Sequence, residues 1–329
     1  MVRPADIGPG GPVVIDLGGH RLDSLDRRRL AHPMVGGVVL FDRNIGSREQ
    51  VAALVAELRR ARPGLLVCID QEGGRVQRLV DGFTRIPPMA TLGRAWDRDP
   101  IAASMEATRI GRTIGSELRA LDIDLSFAPV LDLDHGRCDV IGDRALHRDP
   151  RVVTLLARAI VHGMLLAGMG NCGKHFPGHG YVSGDSHHEL PVDRRSLRRL
   201  LAEDAAPYGW LGETLLAVMP AHVVYPRIDD RPAGFSRIWL EDILRVRLGF
   251  DGLVFSDDLT MAGAAGMGDI VERAHAAIAA GCDMILVCHD RGEADRLLGG
   301  FEWRRGPDFD RRLAALLRRA GELPGRGCE

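Results

Sequence analysis

Cysteine is scarce and unpaired in this 329-residue chain: Cys68, Cys138, Cys172, Cys282, Cys288 and Cys328 form no Cys-x-x-Cys motif. That absence argues against disulfides and a zinc site. Runs such as LLVCID at 65–70 and MILVCH at 284–289 place the thiols among apolar neighbours, where they read as buried and reduced. An excess of charge of one sign is also lacking. Lysine and arginine number 43 against 45 aspartates and glutamates, and the basic residues fall in short groups such as Arg27, Arg28 and Arg29, so no nucleic-acid surface is expected. No apolar run approaches the ~18 residues of a membrane helix, and the opening MVRPADIGPGGP lacks a signal-peptide core. A cytoplasmic protein without a membrane partner is the expectation.

What the chain does have is material for one large core, with 45% apolar residues and 40 glycines. Short apolar runs alternate with longer amphipathic stretches. The runs are VVIDL (13–17), GVVLF (37–41), LLVCID (65–70), IDLSFAP (123–129), NCGKHF (171–176), LLAVMP (215–220), GLVFSD (252–257) and MILVC (284–288). Between them, SREQVAALVAELRRA starts on Ser47, a helix N-cap residue, and DPRVVTLLARAIVHGMLLAG starts on Asp149 and stops near Gly168. Strands that are apolar almost throughout, alternating with helices, predict a parallel sheet sheathed by helices. Eight such units fit a single (β/α)8 TIM-type barrel, with residues 1–329 as one catalytic domain. A doubly wound open sheet is the alternative architecture.

In such barrels the chemistry sits at the C-terminal ends of the strands. Asp70 ends the third run, Lys174 and His175 the fifth and Asp257 the seventh, while His222 follows the sixth. Any one strand must end in something polar; five polar residues at four strand ends carry more weight. Three reaction classes remain open on these residues. Lys174 would serve a Schiff-base aldolase if its pKa were lowered. The histidines with Asp257 would serve a metal-dependent hydrolase, although no HxH or HExxH spacing appears. A glycosidase would use Asp257, since a rigid strand end holds a short carboxylate firmly beneath an anomeric carbon. A non-catalytic sugar-binding protein would need only Asp70, Lys174 and His175.

The strings DQEGGRVQRL (70–79), GKHFPGHG (173–180), DSH (185–187), MPAHV (219–223) and FSDDLTM (255–261) occur in that order and together resemble glycoside hydrolase family 3. Within it they are most like the single-domain bacterial β-N-acetylglucosaminidases, from the first strand to beyond Cys288. The resemblance implies a retaining exo-β-N-acetylglucosaminidase, without cofactor or metal. It would act as a monomer on a small saccharide or muropeptide, freeing GlcNAc from anhydro-muramoyl peptides in cell-wall recycling. It implies Asp257 as nucleophile, His187 with Asp185 as the acid/base pair, and Asp70, Arg78, Arg144, Lys174 and His175 as the GlcNAc subsite. One departure is GDRAL at 142–146, where Ala145 replaces an expected hydroxyl.

Side-chain geometry adds detail to these roles. Asp185 and His187 are two apart, so in an extended loop they point the same way and can hydrogen-bond. His188 is a spectator, Glu189 the fallback acid, and Gly178, Gly180 and Gly184 are expected to let the loop swing. Adjacent strand residues face opposite ways, so Asp258 is expected to cap the following helix unless the backbone turns after Asp257. His179 is assigned to orienting the loop and His222 to bracing the nucleophile. A buried ion-pair ring is the competing role for Arg144.

Overall fold

The computed structural model describes residues 10–184 and 190–321. Eight parallel strands close a barrel: β1 (Val13–Asp16), β2 (Val35–Leu40), β3 (Leu66–Ile69), β4 (Leu125–Ser126), β5 (Gly170–Phe176), β6 (Ala217–Pro220), β7 (Leu253–Asp258) and β8 (Met284–Val287). Each pairs with its successor, and β8 returns to β1 in the register Val13 to Ile285 and Ile15 to Val287. The open-sheet alternative is thereby excluded. Every expected apolar run supplies one strand. The fourth is much shorter than its run: past Ser126 the Ala128 N–H turns back onto the Ser126 carbonyl oxygen at 2.8 Å.

Alternation of side chains divides the core in two. Val14, Leu66, Cys68, Cys172, Phe255 and Met284 face inward and fill the barrel, and Phe309, Leu313 and Leu316 of the helix Pro307–Gly321 pack onto the same cluster. That helix is pinned by Arg312, whose Nη1 donates to Asp283 at 2.8 Å, and by Arg311, whose Nη2 donates to Asp251 at 2.8 Å. Both aspartates stand just before a strand, so the helix closes the end of the barrel opposite the strand C-termini. Ile15, Val38, Val67, Val218, Val254 and Ile285 face outward against the surrounding helices. The five cysteines among the described residues are buried and free.

The two helices foreseen at Ser47 and Asp149 form as Arg48–Ala61 and Pro150–Leu166. Ser47 Oγ accepts from Gln50 N, and the Asp149 side chain accepts from Arg151 N. Each cap is worth about 1 kcal/mol. Pro150–Leu166 lies against Pro100–Arg119 in close contact that depends on Gly111 and Gly163: a Cβ on Gly111 would run into the carbonyl oxygen of Ile160, and one on Gly163 into that of Thr108. Gly111→Ala is therefore expected to lower stability by about 1–3 kcal/mol despite alanine's higher helix propensity. Urea midpoints of the two proteins test this, and an unchanged midpoint would mean the helices can part at no cost.

Candidate active site

A cavity of about 680 Å³ opens at the C-terminal ends of the strands, within the range that small-molecule sites occupy. Asp70, Arg78, Arg144, Lys174, His175 and Asp257 all line it, so the barrel brings together every expected subsite residue and the expected nucleophile. Asp185, His187, His188 and Glu189 lie outside the described residues.

Opposite charges fill the deep wall. Lys174 Nζ lies 2.7 Å from Asp70 Oδ1 and 2.7 Å from Glu72 Oε1. Arg144 approaches Glu72 with two parallel bonds, Nε to Oε2 and Nη2 to Oε1, each 2.8 Å. Glu72 is almost wholly buried. Burial opposes its charge, but Arg144 and Lys174 outweigh it and hold the carboxyl well below the usual carboxylate range. Burial likewise opposes the charge of Lys174, yet Asp70 and Glu72 raise its pKa above the ordinary lysine value. With Nζ 2.7 Å from both carboxylates, Lys174 is held as a cation, whereas an amine nucleophile must shed its proton, so the geometry disfavours the aldolase reading. Arg144 thus lines the cavity and belongs to an ion-pair ring at once. Arg78 sits nearer the rim, donating to Asp42 at 2.9 Å with Asp70 at 3.9 Å. Ala145 is buried in an apolar cluster with Cys138 and Ile141 beside Arg144.

A second buried carboxylate, Asp132, orients the histidines. Its Oδ2 accepts from His175 Nδ1 at 2.7 Å, and its Oδ1 accepts from His179 N at 2.6 Å. Since a carboxylate only accepts, Nδ1 carries the proton and Nε2 is the nitrogen His175 can offer a ligand. Burial opposes the charge of Asp132, but His175 prevails and keeps its pKa below the usual value. Neither Glu72 nor Asp132 was expected from the sequence as part of the site.

The backbone does turn after β7. Asp257 has φ 65°, in the left-handed region that a non-glycine residue seldom enters, and both Asp257 and Asp258 line the cavity. Asp258 donates its N–H to Asp257 Oδ1 at 2.7 Å, accepts at its carbonyl from His222 Nε2 at 3.0 Å, and accepts at Oδ1 from the N–H groups of Thr260 and Cys288. It therefore frames the neighbouring carboxylate and caps a turn. The expected helix cap is wrong: the next α-helix, Ile270–Ala280, is capped by Asp269. His222 does brace this corner through Asp258. Burial works against the charge of Asp257, but His222 and His175 lower its pKa, leaving a carboxylate at neutral pH.

Two other expectations change. Gly178 and Gly180 are not hinges: a Cβ on Gly178 would lie 2.6 Å from Asp204 Cβ, and one on Gly180 would strike the Leu133 carbonyl oxygen. Tyr225 also donates its hydroxyl to the Gly178 carbonyl at 2.8 Å. Both glycines serve close packing. For the metal-hydrolase reading, the one group of three candidate ligands among the described residues is His135, Glu203 and Asp204, away from Asp257. Arg195 already serves there as the cation, with Nη1 3.1 Å from Glu203 and 2.5 Å from Asp204.

Residues 14–301 match the N-terminal domain of glycosyl hydrolase family 3. A β-hexosaminidase from Bordetella avium is 58% identical over 299 residues, covering 90% of this chain and 85% of that protein. The crystal structure of native NagZ from Neisseria gonorrhoeae superposes with a TM-score of 0.89 at 48% identity, over 95% of this chain and 93% of that one. The same NagZ in complex with N-trifluoroacetyl-D-glucosamine gives 0.89 at 49%, with the same coverage. These likenesses define a glycoside hydrolase that acts on N-acetylhexosamine. The chain belongs to glycosyl hydrolase family 3, as a member of the NagZ type.

Burial pushes the Asp258 carboxyl up to about 7, against about 3.9 in an unfolded chain. Between those values the folded protein keeps a proton that the unfolded chain has released, so raising the pH from about 4 to about 7 weakens folding. Asp258→Asn preserves an acceptor oxygen and removes this titration. Relative to the parent, the variant should gain about 2–3 kcal/mol between pH 5 and pH 8, read from urea midpoints at both values; a constant difference would place the Asp258 titration elsewhere.

Proposed function

We propose that the chain is a single-domain retaining exo-β-N-acetylglucosaminidase. Asp257 attacks the anomeric carbon of a terminal β-linked GlcNAc, and His187, oriented by Asp185, protonates the departing glycosidic oxygen. The covalent glycosyl-enzyme is then hydrolysed by water that His187 deprotonates. The reading is carried by one observation: a charged, half-buried carboxylate at the end of β7 faces the cavity beside Asp70, Lys174 and His175. Asp70 keeps Oδ2 for sugar hydroxyls while Oδ1 holds Lys174, and His175 offers Nε2. The relative that was crystallised with N-trifluoroacetyl-D-glucosamine supports an N-acylated glucosamine as the bound sugar.

The physiological substrate in this proposal is GlcNAc joined to an anhydro-muramoyl peptide, met in the cytoplasm during cell-wall recycling. Among the described residues no helix is long and apolar enough to cross a membrane. The support for this setting is the resemblance of the motifs to the bacterial enzymes.

Incubation with a slow 2-fluoro sugar donor, followed by peptide mapping, is expected to find the label on Asp257 in FSDDL; a label on Asp258 would transfer the nucleophilic role. For the acid, His187→Ala should slow turnover by about 10²–10⁴-fold with a poor leaving group, and far less with a dinitrophenolate, which departs unprotonated. Azide should restore only the deglycosylation step. Equal slowing of all substrates would leave His187 a loop residue and direct the search to Glu189.

A further inference from the structure

We propose that Glu72 is a positioning residue that sets the charge of the sugar subsite, cancelling Arg144 and Lys174 so that Asp257 acts on the anomeric centre as an uncompensated negative charge. The inference rests on the glycosidase reading above. Three of the roughly four acceptor sites of Glu72 are taken, Oε1 by Arg144 Nη2 and Lys174 Nζ and Oε2 by Arg144 Nε, and its side chain is only 2% exposed. Its role is therefore exercised through those two cations. Asp70 and Glu72 on one side and Lys174 and Arg144 on the other sum to zero within one connected group, and Arg78, 3.9 Å from Asp70, is balanced by Asp42 at 2.9 Å. Asp257 then adds its negative charge to the same cavity, beside Asp258, whose carboxyl burial pushes up to about 7.

That sum bears on the reaction because the transition state of glycoside cleavage resembles an oxocarbenium ion, with positive charge developing on the sugar ring. A fixed surplus cation beside the sugar opposes such charge, whereas a surplus anion favours it. Glu72 also fixes geometry. Its two parallel bonds hold the Arg144 fork in one plane, and it shares Lys174 with Asp70, so the groups facing the sugar are placed before it arrives.

The test uses the full-length protein and two probes that share the GlcNAc outline: neutral N-acetylglucosamine, and a 2-acetamido iminosugar whose ring nitrogen is protonated. Glu72→Gln keeps the side-chain length and leaves the quartet with one excess positive charge. It should weaken the iminosugar about tenfold more than it weakens GlcNAc, measured by calorimetry at matched pH and salt. Arg144→Gln leaves an excess negative charge and should shift the ratio in the opposite direction, favouring the cation. This second variant reads the sign even if Glu72→Gln does not fold. A side chain that only shapes the pocket would lower both affinities alike, so equal losses in Glu72→Gln, or shifts of the same sign in the two variants, would overturn the inference. A parent protein that binds neither probe would overturn the sugar reading itself, and this inference with it.

Discussion

The pairing of β1 with β8 is the constraint on which the rest depends. Val13 to Ile285 is one rung in a ladder, but without it eight strands form an open sheet whose ends fan apart. Closure makes the strand C-termini converge on one rim. Asp70 comes after β3, Lys174 lies in β5 and Asp257 in β7, and they line a single cavity only because the sheet returns on itself. The dependence also runs the other way. Lys174, Glu72 and Arg144 are nearly inaccessible to water, and a buried charge is tolerated only with well-aligned partners. Each partner arrives from a different segment, so the ionic cluster and the closed ring require one another.

The fold was largely legible in the sequence because its signals are local. A run such as GLVFSD or MILVC records its own burial, and Ser47 and Asp149 announce the helices they cap. Where a local rule was cut short, the reading overshot: IDLSFAP looks like a full strand, but the Ala128 N–H turns back onto the Ser126 carbonyl oxygen and the strand stops at Ser126. The site was legible where a polar residue interrupts an apolar strand, as at Asp70, Lys174, His175 and Asp257. Glu72 and Asp132 escaped because their importance is wholly non-local. Glu72 meets Arg144 across 72 residues of chain, and Asp132 meets His175 across 43. Nothing in VLDLDH or DQEGG predicts such partners. Glycine was misjudged for a related reason: it is used both for freedom and for closeness, and only the position of Leu133 and Asp204 shows that Gly178 and Gly180 serve closeness.

The paired aspartates illustrate how a strand rule gives way at a site. On a regular strand, neighbours face apart, and one of two adjacent carboxylates would be lost to the wall. The positive φ of Asp257 breaks that alternation, and Asp258 supplies four hydrogen bonds that hold the break in place. The strained residue and its neighbour form one device. The first presents a carboxylate to the cavity, and the second keeps the backbone from relaxing into an ordinary strand.

The helix Pro307–Gly321, packed through Phe309, Leu313 and Leu316 onto the inward-facing side chains, has a consequence for traffic through the molecule. It stoppers the barrel at the end away from the charged rim, and the filled interior leaves no passage between the two. Among the described residues, the cavity opens at the charged rim rather than through the barrel. On the proposed reading, a released sugar would leave by the rim from which the next substrate approaches, so the two would compete for the same approach.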